Sequence, residues 1–377
     1  MNINGADVKL NVLILSMEHE IDATVQAIES LLIDIEDNVI ISVLLNGGSN
    51  DHLRDMLSKF SFVRYRESPN NLGVAGGRNF LCSTEEFKAA DVICILDNDV
   101  VVPRDYLRKV ATRLLADERM GAVGAVVLDI ENYYPKLDRF RRPSGGITDE
   151  IYDLTCEDAK SLFLAAPSPK GLYHIGTHRN WFMTYLTPLS LIHMLLNRMF
   201  KKVGISRRMS RLLKDDTRYL RKIVQGEDKI EVSNIAGCSL SFRRDLVDEI
   251  GNFDSRFSPY GLEDVDFNVR AMKAGYKNYT LCDVCLLHGT DSRQKQRPPE
   301  KTLENYCRAL TIFSYKHMPR FLFKHLVLLQ IWCSRIQYWA SGNGNGKKYY
   351  DAQLRGMRKG LQELEREARF GDGGARA

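Results

Sequence analysis

Four apolar runs, each separated by a helical or glycine-rich stretch, constrain this chain most. "VKLNVLILS", "NVIISVLLNGGSND", "FSFVRYRES" and "DVICILDND" read as strands. Between the first two, "IDATVQAIESLLIDI" carries a helical period, and "NNLGVAGGRNFLCSTEEF" is a glycine-rich turn opening into a helix. Strand and helix alternating with short connections predict an α/β fold, a mostly parallel central sheet flanked by helices. Ligands of such sheets sit at the carboxyl ends of the strands. Asn46, Gly73 and Asp97 all fall at predicted strand ends or in the turns after them, so one crevice can collect them.

The fourth strand ends in Asp97-Asn98-Asp99 before the chain returns to Val100, Val101 and Val102. Side chains two apart on a strand share a face, so both carboxylates can face the crevice. Held together they repel unless a cation or a proton lies between them. A hard divalent ion, Mn²⁺ or Mg²⁺, would take one or two of these oxygens and keep positions for a diphosphate. The bland alternative is a polar turn at the sheet surface.

A second acidic group stands in "SPYGLEDVDFNVRAMKAGY", where Glu263 and Asp264 begin a predicted helix and Asp266 follows. Acids in a first helical turn complement the dipole, but three carboxylates in four positions exceed what one cap requires. Further on, His288 ends the apolar run "LLHGTDSR" and is the residue type best suited to complete a carboxylate metal site.

The rest bounds the chain more loosely. At 377 residues it is long enough for a large α/β domain plus an appendage. A net charge of +5 gives no bulk sign of a nucleic-acid partner. Eight cysteines are scattered, and the lone CxxC of Cys282 and Cys285 reads as part of a buried strand in a reducing compartment. The N-terminus lacks the features of a signal peptide, and no apolar run is long enough to span a bilayer. The expected site of action is the cytoplasm or the inner face of its membrane.

"LTPLSLIHMLLNRMFKK" and "RRMSRLLKDDTRYLRKIV" predict two basic amphipathic helices in an insert at about 175–228. A helical extension follows over 301–370, interrupted by "SGNGNG" and ending in a disordered tail, 371–377. Phe321, Leu328, Trp332, Ile336 and Trp339 would line one helical face, suited either to an anionic bilayer surface or to packing on the catalytic domain or a second copy in a homo-oligomer.

In this order the motifs resemble the inverting glycosyltransferases of family 2, with the nucleotide-sugar-binding fold called GT-A. "LLNGGSND" resembles the nucleotide-binding turn, "NNLGVAGGRN" the glycine-rich segment before an Arg-Asn pair, and "LDND" the DxD element. "GLEDVDFNVRAMKAGY" resembles the ED motif and "LLHG" the late histidine. The resemblance covers roughly residues 9 to 290 and implies a catalytic domain over 1–300.

It implies that Asp99 and His288 hold the metal and that Asp97 contacts the metal's water shell or the ribose. Asp264 would be the catalytic base, with Glu263 and Asp266 beside it. Ser16, Glu18, Asn46, Gly73, Arg78, Asp97 and Asn98 would face the nucleotide. Apart from the resemblance, the polar, basic and aperiodic "GTDSRQKQRPPEK" predicts either a loop closing over the diphosphate, with Arg293, Lys295 and Arg297 toward its oxygens, or a solvated surface loop. Asn46 stands where many relatives carry an aspartate that reads the base, which leaves the base open. The implied partners are a nucleotide-diphosphate sugar donor and a saccharide or lipid-linked saccharide acceptor, as in bacterial cell-surface polysaccharide synthesis, with rhamnosyl, galactosyl and glucosyl donors all in view.

Other classes fit less well. "GVAGGRN" is not G-x-G-x-x-G and follows the third strand, against a dinucleotide-binding oxidoreductase. A sugar nucleotidyltransferase usually opens with a glycine-rich basic loop after its first strand, where this chain has "LSMEHEID". A non-catalytic nucleotide-sugar-binding module is the remaining alternative.

Overall fold

The computed structural model describes residues 1–3, 5–32, 35–129, 154–164, 172–174, 221–289, 299–340 and 345–371. Most of the basic insert, Arg293, Lys295, Arg297 and the last six residues lie outside them. The described residues divide into two compact units, one drawn from 1–178, 214–253 and 264–292 and the other from 254–263 and 293–377.

The first unit opens with a small antiparallel pair, β1 (Asn2–Ile3) and β2 (Ala6–Asp7). A ten-stranded sheet follows. Strands β3 (Leu10–Ser16), β4 (Val39–Asn46), β5 (Val63–Ser68) and β6 (Val92–Leu96) pair in parallel, in the order β6-β3-β4-β5. The remaining strands are β7 (Val100–Val101), β8 (Met120–Asp129), β9 (Leu172–His174), β10 (Lys229–Val232), β11 (Ser239–Arg243) and β12 (Lys277–His288). Beyond β6 the order runs β11, β8, β12, β10. β8 and β12 pair in parallel, while β11 lies antiparallel to both β6 and β8. The expected parallel sheet is therefore present in two halves, with one reversed strand between them.

That reversal matters for the site. Because β11 runs the other way, its first residues lie beside the carboxyl end of β6. Ser239 pairs with Leu96, so the residues preceding β11 meet the residues following β6.

Alternating side chains pack on both faces of the sheet, as strands covered on two sides require. Val12, Ile14, Cys94 and Leu96 join one core with Ala27, Ile28 and Leu31 of α1 (Ile21–Leu32). Leu53 and Leu57 of α2 (Asp51–Leu57) pack into the same core. Leu13, Ile93 and Ile95 face the other way, toward Ala75 and Leu81 of α3 (Gly73–Cys82) and Phe87 of α4 (Glu85–Lys88). Tyr106 and Val110 of α5 (Tyr106–Leu115) belong to the first core. Ala159 of α6 (Cys156–Leu164), Leu246 of α7 (Leu246–Ile250) and Phe267 of α8 (Glu263–Lys273) belong to the second. Cys282 and Cys285 are buried in β12 as free thiols.

The second unit contains α9 (Pro299–His317), α10 (Arg320–Ala340) and α11 (Asn345–Gly371). Cys307, Leu354 and Met357 form one small core, and Phe323, Val327 and Leu364 another. Gly356 and Gly360, one turn apart on α11, let its backbone approach α9 closely. A Cβ on Gly356 would lie 2.9 Å from Cys307 Cβ, and one on Gly360 2.8 Å from Thr311 Cβ. Arg308 of α9 donates to the carbonyls of Ser258 and Arg256 and to Glu363 of α11. Among the described residues no helix is long and apolar enough to cross a membrane.

Candidate active site

Two strand ends, the turn before β11 and the helices α3 and α8 deliver the site. The turn after β6 carries Asp97 and Asp99, and His288 ends β12, where it pairs with Val100 of β7. His288 Nε2 lies 3.4 Å from Asp97 Oδ2 and 3.3 Å from Asp99 Oδ1, so one imidazole nitrogen meets both carboxylates. Asp99 and His288 are buried, whereas the Asp97 side chain remains 39% exposed and open to a ligand.

Cys238, the residue before β11, completes a set that the sequence reading missed. Ligand atoms of Asp97, Cys238 and His288 all lie within 4.8 Å of one another. Donors of three chemical kinds converging this closely fit a divalent cation. Burial pushes Asp99 up to about 6, with the Asp97 and Glu20 charges adding to the rise and His288 opposing it. Burial also opposes the charged form of Asp97, but the His288 hydrogen bond and the charges of His288 and Arg78 outweigh it and hold its pKa low.

Asp264 reaches the same place from the first turn of α8. Its Oδ2 accepts from the Gly237 N–H at 3.0 Å and its Oδ1 from the Val265 N–H at 2.7 Å. Burial raises its pKa; the Arg78 charge and these two backbone donors pull the other way. Leu262, just before α8, holds a left-handed backbone at φ 68°. A non-glycine residue there costs roughly 1–3 kcal/mol, a strain that gathers at functional sites.

Arg78 lies on the other side of Gly237. The guanidinium donates to the Gly237 carbonyl at 3.4 Å and stacks over the Phe253 ring, 5.4 Å from its centroid. The next residue, Asn79, fixes that ring by bonding both the carbonyl and the N–H of Phe253, at 2.7 and 3.0 Å. Gly237 thus bonds Asp264 through its N–H and Arg78 through its carbonyl, and a side chain at 237 would occupy the guanidinium's space.

Other expected site residues are placed differently. Ser16 is fully buried and shares a 2.6 Å hydrogen bond with Thr24. Asn98 turns inward to donate to Glu20 at 3.0 Å and to Thr24 at 3.4 Å, so it braces α1 against the acidic turn. Asn46 spends both ends of its amide on the chain itself, accepting from the Leu72 N–H and donating to the Gly73 carbonyl. Gly73 opens α3 in the left-handed region, at φ 71°. Glu18 is exposed beside the turn at Gly48.

In the ED motif, Glu263 is buried and accepts from the Gly261 N–H at 3.1 Å. Asp266 does not join Asp264. It is fully buried and paired with Arg270 Nε at 2.8 Å, and Arg270 in turn holds the carbonyls of Ile250, Gly251 and Asn252. Arg293 lies outside the described residues.

Residues 14–158 match the model of glycosyl transferase family 2. The fold is GT-A. It is similar to that in the "Crystal structure of GalNAc-T7 with UDP, GalNAc and Mn2+", with a TM-score of 0.51 and 11% identity, over 96% of this chain and 57% of that one. This chain therefore spans little more than half of that protein. A second similar structure is the mannosyltransferase PcManGT from Pyrobaculum calidifontis in complex with GDP-Man and Mn2+, with a TM-score of 0.48 and 13% identity, over 96% of this chain and 90% of that one. Among curated proteins none matches.

Proposed function

We propose that this chain is an inverting, metal-dependent glycosyltransferase, moving a sugar from a nucleotide-diphosphate donor to a hydroxyl of a saccharide or lipid-linked saccharide. The observation that carries the reading is the meeting of Asp97, Asp99 and His288 with Asp264 and Arg78 around the turn at Gly237. The family match over residues 14–158 supports it.

Asp97, Asp99 and His288 would hold a divalent cation, Mn²⁺ or Mg²⁺. Bound there, it would offset charge on the diphosphate leaving group. Arg78 adds a fixed positive charge to the same region, preorganised by its stacking on Phe253. Asp264 is the base: its raised proton affinity suits it to take the acceptor hydroxyl's proton as that oxygen attacks. A single displacement from the face opposite the diphosphate inverts the anomeric centre. Glu263 acts at one remove, through its bond to the turn that leads into α8.

Phe321, Leu328 and Trp332 stand exposed along α10, at 70%, 66% and 61%. They support peripheral attachment to an anionic membrane surface, where a lipid-linked acceptor for cell-surface polysaccharide would be found.

The test is a panel of rhamnosyl, galactosyl and glucosyl nucleotide donors incubated with the protein and Mn²⁺, scored for nucleoside-diphosphate release. At least one donor should turn over, and Asp264→Asn should abolish the turnover. Failure of every donor, with and without saccharide acceptors, overturns the reading.

A further inference from the structure

The metal set expected from the sequence contains only oxygen and nitrogen donors. We propose that Cys238 is an additional ligand of this site and gives it a preference for thiophilic divalent cations. The inference rests on the metal-site part of the proposed function and deepens it.

Topology places the thiol. The Ser239–Leu96 register, carried one residue further, sets Cys238 across from Asp97. Its sulfur lies with the Asp97 and His288 ligand atoms inside the 4.8 Å set. Gly237, immediately before it, is held by Asp264 and Arg78, so the sulfur sits on a backbone fixed from two sides. Cys238 itself is 3% exposed, which leaves the thiol little freedom to turn toward solvent.

The consequence is one of softness. Mn²⁺ and Mg²⁺ favour the carboxylates and leave the thiol a neutral neighbour. Zn²⁺, Co²⁺ or Cd²⁺ favours sulfur, so on binding the thiol gives its proton to solvent and the thiolate closes the coordination shell. Such ions would then compete with Mn²⁺ for the same residues, at affinities a purely carboxylate-histidine site would not reach.

The experiment titrates the full chain with Mn²⁺, Co²⁺ and Cd²⁺ by calorimetry. The near-ultraviolet thiolate-to-Co²⁺ charge-transfer absorption is recorded in parallel. The wild type should show that absorption and bind Cd²⁺ more tightly than Mn²⁺. Cys238→Ser should lose the absorption and weaken Cd²⁺ binding at least about tenfold, the lower end for disturbing even an outer-shell partner, with little change for Mn²⁺. Cys285→Ser should behave as wild type.

If Cys238→Ser does not fold, the cadmium NMR resonance of the wild type decides, since sulfur ligation moves it downfield. Mn²⁺ binding without a thiolate signal overturns the role of Cys238 and leaves the transferase reading standing. Failure to bind any of the three ions overturns both.

Discussion

Gly237→Ala tests whether the site depends on the close fit between this turn and Arg78. A Cβ at 237 would lie 2.9 Å from Arg78 Nη1 and 3.0 Å from its Cζ, with Nη2 nearer still. Ordinary contact begins at 3.4 Å, so the guanidinium must retreat by at least about half an ångström. Gly237 does not occupy the left-handed region, so alanine fits its backbone and the clash is the only cost. Arg78 cannot swing into solvent, because it is 4% exposed and lies over the Phe253 ring that Asn79 clamps.

Overpacking of this kind costs about 1–3 kcal/mol of stability. Each 1 kcal/mol lowers Tm by about 2–4 °C in a domain of 150–250 residues. A displacement approaching 1 Å beside the reacting groups costs up to about 100-fold in rate. The assay is kcat/KM for donor turnover together with a thermal melt, on four proteins: wild type, Gly237→Ala, Arg78→Lys and the double variant. Lysine lacks the forked end that the new methyl group would strike. The double variant should therefore lose little more than Arg78→Lys alone, giving a coupling of about 0.5–3 kcal/mol. Wild-type kinetics and Tm for Gly237→Ala, or strict additivity in the double variant, would refute the reasoning.

Two further outcomes concern the helical unit. Asp254 is bonded to Arg256 and to Lys316, at 2.6 and 2.7 Å. Burial opposes its ionisation, but these cations prevail and hold its carboxyl well below the usual carboxylate range. Stability from a depressed carboxylate is present above the unfolded pKa and lost as pH falls toward the folded one. Asp254→Asn should therefore cost on the order of 1–2 kcal/mol at about pH 7, discounted because both cations still touch water. Urea melts should show that gap closing as pH falls below about 4; an unchanged gap at about pH 3 counts against the assignment. Gly356→Ala would set a methyl group 2.9 Å from Cys307 Cβ and 3.0 Å from the Glu304 carbonyl carbon. Backbone cannot rotate away, so the loss should reach about 3 kcal/mol, read as a lower Cm in urea; a Cm unchanged from wild type would mean that α9 and α11 do not pack this closely.

The parallel half of the sheet was legible because each strand and helix carries its own period: Val12 and Ile14 face one core, Leu13 the other. The acids after β6 and at the start of α8 stood out by their density, although of the second group only Asp264 meets Gly237, while Glu263 and Asp266 serve the Gly261 N–H and Arg270. What the sequence could not give was which polar side chain turns inward. Ser16, Asn98 and Asp266 have the residue types of a site, yet each is occupied by an internal partner, Thr24, Glu20 or Arg270. Cys238 escaped notice for the opposite reason. It reads as an apolar strand residue, and only the antiparallel register of β11 against β6 brings it beside Asp97. The sequence offered one hint, the glycine before it, since a glycine at a strand entry often marks a close approach.

The seven cysteines whose side chains the structure describes have a use unrelated to catalysis. All are free and buried, from Cys82 and Cys94 in the sheet unit to Cys307 in the helical one. Burial holds the thiols of Cys82, Cys94, Cys282, Cys285 and Cys307 up at about 12. A thiolate is what attacks an alkylating reagent, so each of these sulfurs is silent until its surroundings come apart. The chain thereby carries a set of internal timers, and the order in which they take up a mass tag would trace the order in which its parts open.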